Sequence, residues 1–254
     1  MTEFRTIRLM RRERALEVVL DRADRQNALT RGMIAELHAA LDVAEADPDI
    51  RLVVLSGEGD SFCAGMDFVE AGATPDAAEA LRPTVEQFYR LMERFTQSRI
   101  VVAARITGRV TAGGVGLAAA TDYVVAGPGA SFQLSEVIFG LLPATIAPFI
   151  IRRCGFQAAF RLSLTAQRID AARAAAIGLV DEVSENPADA MRQFLVRAAR
   201  VPPGCVADLK GLFREMWILN DATRHCAIEA SVRQISRPET HDSIRRFVQG
   251  TRPS

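Results

Sequence analysis

Apolar and polar positions change period repeatedly along this chain, and the changes delimit its elements. Phe4 to Leu9 and Ala15 to Leu20 read as short strands around the charged turn Arg11-Arg12-Glu13-Arg14, the second buried through Val18, Val19 and Leu20. A polar loop, DRADRQNAL (residues 21–29), precedes a helix on which Ile34, Leu37, Leu41 and Ala44 recur at helical spacing. Thr30 is placed to cap that helix and Asp47-Pro48-Asp49 to stop it. Arg51 to Ser56 is a buried strand, and the Gly-rich run GEGDSFCAGMDF (57–68) follows. Residues 74–98 read as mostly helical with a break at Pro83, and residues 100–106 as the next buried strand.

The longest patterned stretch is ITGRVTAGGVGLAAATDYVVAGPGASFQLSEVIFGLLP (106–143). Its β-branched run ends at Ile106, and a Gly-rich turn leads into the helix-forming Leu117-Ala118-Ala119-Ala120. Tyr123–Val125 and Ala130–Phe132 read as short strands. Strands alternating with helices predict parallel pairing through crossover connections, an α/β class. Beyond Pro143 three successive helices are predicted, with Gly155 and Gly178 as stops, then a short strand over 179–183 and helices from Pro187 onward. The division expected is a βα core over residues 1–185 and a helical C-terminal lobe over 186–254, with no internal repeat.

Composition narrows the class. A chain of 254 residues, 49% hydrophobic and 24% charged, has the make-up of a globular protein with a sizeable core. Zero net charge and the lack of a long basic run argue against nucleic acid or a membrane surface as partner. Lys210 is the only lysine among many arginines. Cys63, Cys154, Cys205 and Cys226 are far apart and form no CxxC pair, so neither a zinc site nor a disulfide framework is expected. The N-terminal residues hold no secretory apolar region and no run is long enough to span a bilayer, so a cytoplasmic setting is expected.

Three features carry candidate chemistry. Gly65-Met66-Asp67 follows a buried strand and could aim a backbone N–H into a cleft, or be an ordinary turn. Gly113-Gly114 opens a helix and could offer a second N–H, or serve close packing. Glu136 stands between apolar segments where desolvation would raise its pKa toward a general base's range, or it is a routine acid after the cap Ser135.

GEGDSFCAGMDF, ITGRVTAGGVGLAAATDY and ASFQLSEVIFGLLP, in this order and spacing, resemble the crotonase superfamily of enoyl-CoA hydratases and isomerases, and DRADRQNAL resembles that family's segment before its first long helix. The similarity covers most of the chain and is strongest over 21–67 and 100–173. It implies a ββα spiral with a helical C-terminal trimerisation region, assembled as a trimer or a dimer of trimers. It also implies an acyl thioester carried on the phosphopantetheine of CoA or an acyl carrier protein (ACP), with no other cofactor and no metal. Its thioester oxygen would sit between the N–H groups of Met66 and Gly113, where two donors lower the energy of an enolate. Ala64, Gly65, Asp67, Gly114, Gly116, Arg25 and Ala28 are the flanking positions expected to bind substrate.

Typical hydratases of the family carry two glutamates. The later one matches Glu136, whereas Gly116 occupies the place of the earlier. One acid suits Δ3,Δ2-enoyl-CoA isomerases, and it also suits the dehydratases of polyketide β-branching, which act on 3-hydroxy-3-methylglutaryl-ACP. RVTAGGVGLAAATD followed by ASFQLSEVIFGLLPATIAPFIIRRCG resembles the latter. A general enoyl-CoA hydratase and a non-catalytic member that binds an acyl thioester or carrier protein are the alternatives. For the distal carboxylate Arg82, Arg90 and Arg94 are candidates. His38, His225 and His241 are expected to be surface or satisfied residues, Cys63 a packing residue, and Trp217 and Phe213 lobe-packing or subunit contacts. Phe247 lies where the family meets the CoA nucleotide.

Overall fold

The structure, a computed structural model, describes residues 4–67, 77–202, 204–240 and 243. His241 and Phe247 lie outside the described residues. Strands β1 (Ile7–Arg12), β2 (Ala15–Leu20), β3 (Leu52–Gly57), β5 (Val101–Ile106), β7 (Tyr123–Ala126) and β10 (Glu182–Val183) form one sheet in the order β1-β2-β3-β5-β7-β10. Pairing is parallel from β2 onward, and β1 is antiparallel to β2. A second sheet, β4-β6-β8-β9, holds the short strands β4 (Ser61–Cys63), β6 (Arg109–Thr111), β8 (Ser131–Gln133) and β9 (Ile169–Asp170).

Each circuit of the chain leaves one strand in each sheet: β3 then β4, β5 then β6, β7 then β8. This is the expected ββα spiral, a repeated topology without a repeated sequence. Helices α1 (Arg31–Ala46), α2 (Ala77–Gln97) and α3 (Gly113–Ala120) lie within these circuits. α4 (Ala147–Cys154), α5 (Phe156–Thr165), α6 (Ala171–Ala176), α7 (Pro187–Ala198), α8 (Cys205–Glu215) and α9 (Asp221–Ile235) follow.

The central strands are mostly apolar because both their faces are covered, and their two charged side chains, Glu17 of β2 and Arg105 of β5, face each other at 3.8 Å. On β3, Val53 and Leu55 enter the main core with Leu37, Phe62 and Phe95, while Leu52 and Val54 face the other way, against Ala190 and Met191 of α7. Thr30 caps α1 by accepting from the Met33 N–H at 3.0 Å, and Met33, Ile34, Leu37 and Leu41 are buried along one face.

Three readings of the sequence change. The charged turn narrows to Glu13-Arg14, because Arg11 and Arg12 continue β1, an edge strand where charge discourages further pairing, and Arg11 reaches Asp47. Pro83 does not break α2. Val85, Phe88, Leu91, Met92 and Phe95 of that helix are buried, each contributing about 1.5–3 kcal/mol against about 3 kcal/mol for one interior proline. Finally, Ser61–Cys63 is a strand inside a run read as a loop, too short for a period to register.

The C-terminal helices are tied to this core by charge. Lys210 Nζ donates to the carbonyls of Phe95 (3.0 Å) and Ile100 (2.9 Å) and pairs with Asp122 at 2.6 Å. Arg224 of α9 holds Glu93 of α2 at 2.9 Å, and Arg82 holds Glu229 at 2.5 Å. Among the described residues no helix is long and apolar enough to cross a membrane.

Candidate active site

A cavity of about 270 Å3 opens between α1, α2, the Met66 loop, the start of α3, the 3-10 turn Glu136–Phe139 and α9. Its lining includes Met66, Asp67, Gly113 and Glu136, so the structure brings together the two expected donors and the expected acid.

The loop before α1 is locked first. Asn27 is fully buried at φ +55. Its side chain accepts from Arg22 N (2.8 Å) and donates to the carbonyls of Glu58 (2.9 Å) and Ser61 (2.7 Å). Arg22 then donates to Ala28 O (2.7 Å) and to the Asp67 carboxylate (3.2 Å). Leu29 pairs with the Met66 loop as a lone parallel bridge, donating to Gly65 O at 2.7 Å and accepting from Asp67 N at 2.9 Å. Asp67 thus lines the cavity as one half of a clamp with Arg22.

This pairing passes over Met66, whose N–H, like that of Gly113, meets no protein acceptor among the described residues. The two amides lie side by side. A β-carbon on Gly65 would stand 3.0 Å from Gly113 N and 2.8 Å from Ala112 Cβ. Ala112 holds φ 50 and ψ −123, a conformation costly for a residue with a side chain, and its N–H is fixed to Gln133 O at 2.9 Å. That strained turn leaves the first amide of α3 in the cavity lining with no acceptor among the described residues.

Glu136 opens a 3-10 turn closed by Gly140 at φ +72. Ser135 makes no side-chain cap, so the routine capping role foreseen for the pair is absent. The Glu136 Oε2 atom is buried without a hydrogen-bond partner, and burial raises the carboxyl pKa to about 7, against a smaller opposing hydrogen bond from its own backbone. Such a group exchanges protons near neutrality and gives or takes one at little cost.

Gly116 lies behind the wall rather than in it. It is fully buried, and a β-carbon there would stand 2.5 Å from Ile146 Cβ and 3.3 Å from Met92 Sδ. Ile146, a lining residue, fills the space where a second acid would project. Gly116→Ala should therefore cost about 1–3 kcal/mol by overpacking. Ile146→Ala in the same chain should recover part of that loss, a coupling readable from urea melts of the four-variant cycle.

The remaining expected positions fall outside the lining. Ala64 donates its N–H to Gln26 O at 3.1 Å, and Gly114 packs with its missing β-carbon against Cys63. Gly65 and Ala28 contribute backbone carbonyls to the loop network, and Arg25 is exposed beside Asp24. Burial pushes the Cys63 thiol up to about 12, which leaves it an apolar packing group. His38 is taken up by Gln87 O and Arg94, and burial lowers its pKa. Arg94 also pairs with Asp42 and Glu45, Arg82 pairs with Glu229, and Arg90 is exposed away from the cavity.

Several lining residues were not singled out in the sequence. Thr145 and Ser231 meet through their hydroxyls at 2.6 Å. Ser231 spends its proton on Ala227 O at 3.0 Å, so Thr145 is the donor of the pair and its oxygen remains an acceptor toward the cavity. Arg31 also lines the cavity. Its signal was available: a cation directly behind a helix cap, where the helix dipole disfavours one.

The likeness to known proteins extends over nearly the whole chain. Residues 11–252 match the family described as enoyl-CoA hydratase/isomerase. The bacillaene synthase dehydratase PksH of Bacillus subtilis is 28% identical over 249 residues, covering 98% of this chain and 96% of that protein. An enoyl-CoA hydratase of Thermus thermophilus is 36% identical over 196 residues, 76% of each chain. The crystal structure of the polyketide biosynthesis enoyl-CoA hydratase pksH from Bacillus subtilis superposes with a TM-score of 0.91 at 27% identity, covering 99% of this chain and 100% of that one. With the spiral fold and a cavity that joins two free amides to a buried glutamate, the chain belongs to the enoyl-CoA hydratase/isomerase family, the crotonase superfamily.

Proposed function

We propose that the protein is a hydro-lyase that removes water from 3-hydroxy-3-methylglutaryl-ACP, giving 3-methylglutaconyl-ACP in polyketide β-branching. The observation that carries this reading is the single acid of the cavity's catalytic end: Glu136 has one buried, unpartnered oxygen, and Ile146 closes the space over Gly116. The similarity to PksH, a dehydratase by name, supports it.

In this mechanism the thioester oxygen accepts from Met66 N–H and Gly113 N–H. The Glu136 carboxylate takes the α-proton, and the electron pair moves onto that oxygen as an enolate. The enolate then collapses to the α,β double bond as the β-carbon–oxygen bond breaks. Glu136 returns its proton to the departing hydroxide, which leaves as water, so the enzyme ends unchanged. Both directions of proton transfer are served by a carboxyl whose pKa lies at about 7. The Thr145 oxygen is an acceptor available to the β-hydroxyl before it leaves.

The mainly aliphatic lining of Leu29, Leu81, Val85 and Leu141 favours one second reading, a Δ3,Δ2-enoyl-CoA isomerase with the same acid and donors. Intact-mass analysis of loaded carrier protein separates the two. Loss of one water from 3-hydroxy-3-methylglutaryl-ACP is the expected result. Turnover of 3-enoyl-CoA with no reaction on the ACP substrate would replace the dehydratase by the isomerase.

The proposed assembly is a trimer or a dimer of trimers. Phe156, Phe160 and Leu164 form one exposed apolar stripe on α5, and Leu209, Leu212 and Phe213 another on α8, continued by Met216 at its C-cap, surfaces suited to burial between copies.

A further inference from the structure

Arg31 is placed where folding gives it nothing. It opens α1, whose first turn holds no acidic residue, and a cation at the positive end of a helix is disfavoured by the helix dipole. Its guanidinium makes no ion pair or hydrogen bond among the described residues. Yet it lines the cavity, two residues from Leu29, whose backbone pairs around the Met66 amide.

The other charges of the cavity are accounted for. Asp67 is clamped by Arg22, and Glu136 is buried at the reacting end. The three arginines of α2 that the sequence offered for an anionic substrate are not in the lining, and Arg82 and Arg94 are held by carboxylates of α9 and α1. An anion entering this cavity therefore meets Arg31.

Resting on the dehydratase reading, we propose that Arg31 is a specificity-determining residue whose guanidinium pairs with the carboxylate at the far end of the acyl group. A planar guanidinium matches a carboxylate with two parallel hydrogen bonds, and the geometry selects diacid over monoacid thioesters. The phosphate of the phosphopantetheine arm is the other anion of the same substrate, and the test separates the two.

The probes are unreactive thioesters of pantetheine, which lacks the phosphate: 3-methylglutaryl-pantetheine and its monoacid counterpart 3-methylpentanoyl-pantetheine. Calorimetric affinities are measured for the native protein, Arg31→Gln and Arg31→Lys. The native protein should bind the diacid roughly 10- to 100-fold more tightly than the monoacid. Arg31→Gln should erase that preference without changing monoacid affinity, and Arg31→Lys should keep part of it. Equal affinity for both thioesters in the native protein, or a preference that survives Arg31→Gln, overturns the proposal. An Arg31→Gln loss that is equal for both acyl groups and appears only with phosphopantetheine thioesters assigns Arg31 to the phosphate, and also overturns it. If the diacid preference depends on Arg31 but the native protein leaves 3-hydroxy-3-methylglutaryl-ACP unchanged, the dehydratase reading fails and the role of Arg31 stands.

Discussion

Glu136→Gln should lower kcat by roughly 1,000-fold or more while the fold is retained, since glutamine keeps the volume and cannot carry the proton. Substantial remaining dehydration would remove Glu136 from the chemistry. In the native protein kcat/KM should rise about tenfold for each pH unit up to about 7 and then level, because abstraction of the α-proton needs the carboxylate. The same variant should be more stable than the native protein at alkaline pH. Burial raises the Glu136 pKa from the usual 4.5 to about 7, so between those values the folded chain keeps a proton that the unfolded chain has lost. Stability from this group therefore falls as pH rises through that window, by roughly 3 kcal/mol in all, and is flat above it. Urea melts at pH 5 and pH 8 should show Glu136→Gln without that component of the decline.

Gly65→Ala should be the most damaging change that leaves every titrating group in place. Gly65 holds φ +89, where a side chain is strained, and its β-carbon would press on Ala112 Cβ and Gly113 N at 2.8 and 3.0 Å. Relief requires the Met66 and Gly113 loops to part, which separates the two amides that share one oxygen. A loss of about 100- to 1,000-fold in kcat is expected, together with about 1–3 kcal/mol of stability. Met66→Ala is the control, because the role proposed for Met66 belongs to its backbone. A fall in activity with Met66→Ala as large as with Gly65→Ala would show that the side chain matters.

The fold was legible where periods were long. The 16-residue α1, its Thr30 cap and the buried strands β3 and β5 follow from spacing alone. Among the short strands β7 and β8 were legible to within a residue, because turn residues flank each of them, whereas Ser61–Cys63 and Arg109–Thr111 lie inside Gly-rich runs, carry no period and gain their pairing only across the second sheet. Pro83 misled because a local rule was outweighed by burial of the rest of α2. At the site, Met66, Gly113 and Glu136 were visible as motif positions and converge on one cavity. Gly116 was legible only as an absent acid, since nothing near it in the sequence announces that Ile146 takes up the space. Thr145, Ser231 and Arg31 were missed for a related reason. Thr145 and Ser231 are 86 residues apart and become a pair only when α9 closes over the cavity, while Arg31 carried one local signal, a cation directly after the Thr30 cap, whose meaning shows only once its place in the cavity lining is known.

Lys210 also makes the chain a reporter of its own docking. The one side-chain amine is only 9% exposed, donates to two backbone carbonyls and faces Asp122, and burial lowers its pKa. Acylating reagents that attack neutral amines find that nitrogen hydrogen-bonded and enclosed. Its modification therefore requires α8 to lift from the end of α2, and a single acyl mark at Lys210 counts those excursions with no competing lysine to obscure it.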